Sequence, residues 1–473
     1  MEPDNIDRFD LVVVGAGPAG EKGAAQAAYF GKRVAIVERE AQPGGAAVHT
    51  GTLPSKTLRE TALFLSGYRQ LNLYGVTVEV EPRLAVAKLI ERKDAVRQLE
   101  AERMIRNLEA HGVEQIHGEA RFIDGNTIEA TSEGGVRRLS AEAVLIATGS
   151  HPFRPPSIPF DDPDVHDSDE ILRIERLPSS LAVLGGGVVG CEYTSMFAAL
   201  GVEVHLVERR SSLLPFLDHE MGDRLLTAMT HLGVVPHLDD HAEEVRREPG
   251  GGLTCRLGSG PVLECEQVLV ASGRSGNTAN LNLSGVGVET DARGYVVVDE
   301  EFRTATPGIY AAGDVIGFPA LASTSMEQAR VAVCRAFGFD YKQQVSSLLP
   351  YGVYTIPEVS CVGLAEREAV ARGVDVVVGR AFFRDNARGQ ILGDQDGMIK
   401  LVFDRATRKL IGCHCIGERA SELVHVGEVA ITLGGTVETF IETVFNYPTL
   451  GETYKYAAYD ALGRMAMRPT STT

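Results

Sequence analysis

The 473-residue sequence has no tryptophan, and aromatic residues make up only 6% of it. No stretch approaches the roughly 18 consecutive apolar residues of a membrane-spanning helix. Basic residues are outnumbered, 46 Lys and Arg against 64 Asp and Glu, which leaves a net charge of −18. That balance argues against nucleic acid and anionic membranes as partners. The first ten residues, MEPDNIDRFD, lack the basic and apolar regions of a secretory signal, so a cytoplasmic protein is expected.

Cysteine is sparse and scattered: Cys191, Cys255, Cys265, Cys334, Cys361, Cys413 and Cys415. An odd number without a framework spacing points to reduced thiols. Cys413-His414-Cys415 invites a metal reading. In a strand, however, the two cysteines share one face and His414 takes the other. "KLIGCHCIGE" reads as a buried strand, and no metal site is expected.

Glycine is abundant, 51 residues, and much of it falls in two matching units. "FDLVVVGAGPAGEKGAAQAAYFGKRVAIVERE" runs from an apolar strand through Gly15-x-Gly17-x-x-Gly20. An alanine-rich helical stretch follows, then a second strand ending at Glu38. This is the βαβ dinucleotide pattern. Gly15 permits the tight turn, Gly17 the approach of a pyrophosphate, and Gly20 close helix–strand packing. The helix N-terminus offers free N–H groups to phosphate, and Glu38 an acceptor for a ribose.

"LAVLGGGVVGCEYTSMFAALGVEVHLVERR" repeats the design with Gly185, Gly187, Gly190 and Glu208. In both units the acid follows the first glycine by 23 positions. Two complete units imply two nucleotides, most simply a bound flavin dinucleotide and a diffusible nicotinamide one. Glu208 suits the 2′-hydroxyl of NAD and repels the 2′-phosphate of NADP, at a cost of roughly 1–4 kcal/mol. Arg209 and Arg210 follow at once and offer that phosphate a grip. Two further segments, "AEAVLIATGSHPFRP" and "PGIYAAGDVIG", are apolar strands running into Thr148-Gly149 and Gly313-Asp314.

Together these residues resemble the two-dinucleotide flavoproteins that include dihydrolipoamide dehydrogenase and glutathione reductase. The resemblance implies an α/β protein with two Rossmann-like domains, for FAD and NAD(P), and a C-terminal α+β dimerisation domain. The implied layout is FAD domain 1–152 and 287–347, NAD(P) domain 153–286, and interface domain 348–473, in a homodimer. It also implies that Gly45, Thr52, Ala120, Thr148, Gly149, Asp314 and Ala322 line the FAD site with the first fingerprint and Glu38. Gly273 belongs to "VLVASGRSGNT", the return toward the FAD domain.

The family's disulfide enzymes carry Gly-Gly-x-Cys, four residues, then Cys-[IV]-Pro-x-Lys. Here Gly44-Gly45 and Pro54-Ser55-Lys56 keep the frame, but Ala47 and Thr52 stand at the cysteine positions. The C-terminal His-x-His-Pro-Thr-x-x-Glu pattern reads Phe445-Asn446-Tyr447-Pro448-Thr449-Leu450-Gly451-Glu452, with Tyr447 at the catalytic histidine. Thiols and proton partner are lost together, as in a changed reaction.

Within the family the chain is similar to the soluble pyridine nucleotide transhydrogenases, through "HTGTLPSK", "SGRSGNT", "GDVIGFPALAS", "YTIPEVS", "GERASELVHVG" and "FNYPT". The subgroup usually keeps one cysteine where Ala47 stands. The resemblance implies ping-pong hydride exchange between NADPH and NAD+ through FAD alone. Lys56 and Glu192 take the ion-pair positions beside the flavin, Tyr193 covers the nicotinamide pocket, and Tyr447 and Glu452 approach the other subunit's flavin. Two alternatives stay open: an NAD(P)H:quinone reductase, with quinones as partners, and a flavin-based redox sensor or binding protein.

Three segments carry organisation. "RLAVAKLIERKDAVRQLEAERMIRNLEAHG" predicts a solvated helix pair. "FRPPSIPFDDPD" predicts a linker, and "EVRREPGGGLTC" a loop.

Overall fold

The computed structural model describes residues 6–67, 73–75 and 82–466. Its first sheet is built on Ile6–Val14, whose last four residues, Leu11–Val14, are buried on both faces. A continuous apolar run of this kind belongs to the centre of a parallel sheet. Strands Val34–Glu38 and Gly135–Ile146 flank it in parallel, with Glu114–His117 beyond the former. The start of Gly135–Ile146 pairs antiparallel with Thr127–Ser132, and its end pairs parallel with Ile309–Ala311.

The second sheet repeats the plan. Ser180–Leu184 is central, between Glu203–Val207 and Gln267–Val270, and all three are parallel. A separate three-stranded sheet, Ala242–Arg247, Leu253–Leu257 and Val262–Cys265, packs with it. "EVRREPGGGLTC" is therefore a hairpin and not a plain loop: residues Glu244–Arg247 and Leu253–Cys255 are strand, and only the turn between them is irregular. The glycines marked the turn, while the alternating burial of Val245, Leu253 and Cys255 made its arms strands.

The chain crosses between the two sheets at the short pair Ser150–Pro152 and Arg274–Gly276. By Leu281 and Leu283 it is packed on the first sheet again. "FRPPSIPFDDPD" lies just after the outward crossing, mostly without regular structure.

The charged segment expected as a helix pair is one helix, Pro82–Ala110, of 29 residues. No Gly or Pro interrupts it after its first residue, so nothing forces a turn. It is not simply a solvated element either, since Ala101, Met104 and Leu108 are buried. Ala101 and Met104 pack with Val48, and Leu53 packs against the same cluster.

The third sheet is antiparallel: Tyr351–Val353, Val359–Gly363, Leu410–Ile416, Met398–Asp404 and Val376–Phe382. Cys413 and Cys415 share a face, Sγ to Sγ 3.9 Å, and Cys413 lies 3.2 Å from the Tyr454 hydroxyl. His414 points to the other face and donates through Nε2 to the Leu364 carbonyl. No cluster of three or more metal-ligating side chains occurs among the described residues.

One apolar core joins the second and third sheets, with Leu213, Leu217 and Met221 against Val353, Met398 and Ile416. A buried charge cluster sits at the same junction. Lys400, fully buried, contacts Asp218 at 2.8 Å, Glu366 at 2.7 Å and Glu220 at 3.3 Å. Removing one member of such a cluster costs more than the cluster itself contributes, because a buried charge is left unpaired.

Candidate functional site

The first fingerprint forms the turn its glycines require. Gly15 has φ +99°, and a Cβ there would lie 2.5 Å from the Ala147 carbonyl oxygen. Gly20 packs so closely that a Cβ would sit 1.9 Å from the Gly15 oxygen. The helix Pro18–Tyr29 begins at Gly17 with no side-chain cap, so its first N–H groups after Pro18 have no side-chain acceptor. Glu38 accepts from the Ala16 N–H at 2.7 Å and the Glu40 N–H at 2.9 Å.

A cavity of about 1750 Å³ opens along this turn. It exceeds the roughly 300–1,000 Å³ of an ordinary small-molecule pocket. Gly15, Glu38, Ala120, Thr148, Asp314 and Ala322 are on its wall, as are Gly17, Gly45, Thr52 and Gly149. Thr148 Oγ1 is buried with no partner. An orphaned hydroxyl, uncapped helix N–H groups and a glycine-lined groove are what an extended dinucleotide would satisfy, so the residues fit FAD.

Asp314 is held by the Ser150 hydroxyl at 3.3 Å and the Ser325 hydroxyl at 3.4 Å. Arg274 in turn donates to Ser150 Oγ at 2.8 Å and to its carbonyl at 2.7 Å. Burial pushes the Asp314 carboxyl above its ordinary range, against the opposing pull of Arg274 and the two serines. A donor that replaced lost water would relieve that cost.

The second fingerprint makes the same hydrogen bonds in the same places. Glu208 accepts from the Gly186 N–H at 2.6 Å and the Arg210 N–H at 3.0 Å. A Cβ on Gly190 would lie 1.7 Å from the Gly185 oxygen, whereas one on Gly187 would meet nothing within 4 Å. That open space is the approach to the helix Val188–Ala199. The Arg210 guanidinium lies 3.7 Å from Glu208 and is largely exposed; Arg209 is exposed as well. Gly273 adopts φ +107° just before the crossing strand Arg274–Gly276.

The two units meet at Lys56. It lies in the helix Thr52–Leu65, and its Nζ is 2.8 Å from each carboxylate oxygen of Glu192, on the helix Val188–Ala199. Lys56, Glu192 and Tyr193 all reach the cavity wall. Tyr193 is nearly buried, stacks on Phe197 and directs its hydroxyl 3.5 Å from the Ser168 carbonyl. Burial raises that hydroxyl's pKa.

Ala47 and Thr52 line the same cavity, and no cysteine does among the described residues. All seven cysteines are buried elsewhere. Cys191, next to Glu192, turns its sulfur toward the Gly186 carbonyl, and burial drives its pKa up. A thiol so held is a poor nucleophile.

Tyr447 and Glu452 are not brought to this cavity within one chain. Tyr447 is 76% exposed, and Glu452 accepts from the Thr449 N–H at 3.4 Å at the start of the helix Glu452–Ala466. Sequence reasoning missed two contributors. Ser150 follows "ATG" with no signal of its own. Tyr354 lies inside "YTIPEVS", a stretch in which no local pattern signals a role for its ring.

A family model described as pyridine nucleotide-disulphide oxidoreductase matches residues 9–334, and that family's dimerisation domain matches residues 349–458. A soluble pyridine nucleotide transhydrogenase of Mycobacterium bovis is 43% identical over 459 residues, covering 97% of this chain and 98% of the relative. Its namesake in Erwinia tasmaniensis is 40% identical over 463 residues, with coverage of 97% and 98%. Among solved structures, LpdA of Mycobacterium tuberculosis superposes with a TM-score of 0.87 at 28% identity, over 96% of this chain and 99% of that one. The flavoprotein disulfide reductase RclA of Escherichia coli gives 0.85 at 26% identity, over 95% and 99%.

Proposed function

The chain belongs to the pyridine nucleotide-disulphide oxidoreductase family, which is FAD-dependent, and on that premise we propose that it exchanges hydride between NADPH and NAD+ without a redox disulfide. The observation that carries the disulfide-free part is the cavity wall. Lys56 and Glu192 face it beside Ala47 and Thr52, with no sulfur among its lining residues. The relatives named as transhydrogenases, matched over nearly their whole length, support the reaction.

When bound, FAD supplies a two-electron carrier that takes hydride from one pyridine nucleotide and returns it to another. The protein binds and orients. Lys56 holds positive charge at the cavity wall, which favours an electron-rich ring there, and Glu192 fixes the ammonium. Glu38 and Asp314, both on the cavity wall, would accept hydrogen bonds from the cofactor's ribose and ribityl hydroxyls. Gly15, Gly17, Gly20, Gly45, Thr52, Ala120, Thr148, Gly149 and Ala322 shape its groove. Gly185, Gly187, Gly190 and Gly273 shape the second nucleotide's site, and Tyr193 walls off the nicotinamide end. Glu208, Arg209 and Arg210 sort NAD from NADP.

The matched dimerisation domain supports a homodimer, in which Tyr447 and Glu452 approach the partner's cavity. The division into FAD domain, NAD(P) domain and interface domain, at about 152, 286 and 347, belongs to the same proposal. Among the described residues no helix is long and apolar enough to cross a membrane. A cytoplasmic location agrees with that.

The test is anaerobic. NADPH is added until the flavin absorbance bleaches, NAD+ is then mixed in, and the absorbance is followed. Recovery within the turnover time is expected. If NAD+ leaves the flavin bleached while menadione restores it rapidly, the quinone reading, which the transhydrogenase relatives named above do not support, replaces this one.

A further inference from the structure

We propose that Tyr354 is a positioning residue that fixes the Lys56 ammonium through its ring, an inference that rests on the reading of Lys56 given above. Two of the ammonium's contacts go to Glu192, at 2.8 Å each, and a third to Ser55 Oγ at 3.3 Å. Its remaining side faces the Tyr354 ring, with Nζ 4.9 Å from the ring centroid. That distance is within cation–π range. The Tyr354 backbone N–H donates to Glu192 Oε1 at 3.0 Å. One residue therefore touches both members of the ion pair, by two different groups.

The ring is itself held. Ser421 lies beside it, its Cβ and the ring both within 4 Å of a Cβ built at Gly352. Gly352 leaves it room: a Cβ there would come within 3.3 Å of the ring. The residues that follow stitch the two helices together. Thr355 accepts from Arg59 Nε at 2.9 Å, and Glu358 pairs with the Arg59 guanidinium at 3.0 Å. Both contacts tie the loop to the helix of Lys56. Ile356 N–H donates to Ser195 Oγ at 3.0 Å, on the helix of Glu192. The segment 354–358 thus alternates between the two helices whose spacing sets the ion pair. The aromatic face supplies what the backbone cannot, a wall against which a flexible lysine stem has one resting place.

The experiment compares Tyr354→Phe and Tyr354→Leu, each in wild-type and Lys56→Met backgrounds, as purified FAD-loaded protein. Two quantities are read: the stopped-flow rate of flavin bleaching at saturating NADH, and the flavin midpoint potential. Tyr354→Phe keeps the ring and the N–H, and both readings stay near wild type. Tyr354→Leu keeps apolar bulk but loses the ring face. It slows bleaching roughly five- to tenfold, the size of one cation–π contact, with little change in NADH affinity, and makes the potential more negative. In the Lys56→Met background Tyr354→Leu has no further effect.

Unchanged rate and potential in Tyr354→Leu, alongside a clear effect of Lys56→Met, would overturn the role of Tyr354. So would an equal loss in the Lys56→Met background, which marks a merely structural residue. An unaltered potential in Lys56→Met alone overturns the reading of Lys56 beneath it. Failure to pass electrons on to NAD+ is seen separately, in the mixing experiment above.

Discussion

Lys56 and Glu192 lie 136 residues apart and meet in a two-pronged ion pair, with the ammonium 2.8 Å from both carboxylate oxygens. The lysine side chain is 24% exposed and the glutamate 4%. Glu192 thus sits almost out of water and depends on its partners. Besides Lys56, it is bonded by the Tyr354 N–H.

Lys56→Ala is expected to lower kcat roughly 10²-fold, the effect of removing one preorganised electrostatic group. Nucleotide binding, measured by titration, should change far less. Glu192→Gln should fall between the two proteins, since it keeps a hydrogen-bond acceptor for the ammonium but not the charge.

The seven cysteines are buried, and none lines the cavity. A thiol reagent applied to native protein is expected to label none of the seven rapidly, both before and after anaerobic addition of NADH. Unfolding should expose all of them. Two thiols that become reactive only after NADH would identify a hidden dithiol and end the disulfide-free reading.

Coenzyme choice should respond to Glu208. Its carboxylate is pinned by the Gly186 and Arg210 N–H groups, so it cannot swing away from an incoming 2′-phosphate. Glu208→Gln keeps an acceptor for the turn and removes the charge. The ratio of kcat/KM for NADPH to that for NADH is expected to rise about tenfold, equivalent to about 1.4 kcal/mol of relieved repulsion. An unchanged ratio would show that Glu208 takes no part in discrimination.

Asp314 has its pKa raised by burial, so at neutral pH its ionised form opposes folding of the cofactor-free protein. Asp314→Asn should raise the Tm of that form by a few degrees. It should also weaken FAD binding about tenfold, because a charged acceptor for the ribityl chain is gone. Thermal melts with and without FAD separate the two effects.

Acid stability follows from three histidines. Burial lowers the pKa of His166, His237 and His414 below the ordinary 6.5. A depressed folded-state value means that stability is complete above 6.5 and declines as pH falls, since the unfolded chain takes up the protons first. His414 has the sharpest constraint: Nε2–H is committed to the Leu364 carbonyl, and buried Nδ1 has no partner for a second proton. His414→Gln should retain a donor to Leu364 and flatten the fall in Tm between about pH 6.5 and pH 5.

Much of the fold was legible because steric rules act over a few residues. Gly15, Gly20, Gly185 and Gly190 leave no room for a Cβ, and that requirement is written at fixed spacing in the chain. The strand assignment of Cys413-His414-Cys415 also held, since alternation alone separates the two faces. The single helix Pro82–Ala110 was less legible. Its many charges suggested two solvated helices, whereas burial of Ala101, Met104 and Leu108 depends on where the first sheet and Val48 come to lie.

By itself the sequence determined the two nucleotide turns, the acids that close them, and the replacement of both family cysteines by Ala47 and Thr52, because each is a matter of residue identity at a local spacing. Only the tertiary structure decided that Tyr354 backs the Lys56 ammonium, that Arg274 reaches Asp314 through Ser150, and that Lys400 is buried among Asp218, Glu220 and Glu366. Those relationships rest on desolvation and on distances between segments remote in the chain, and neither quantity exists until the sheets have packed.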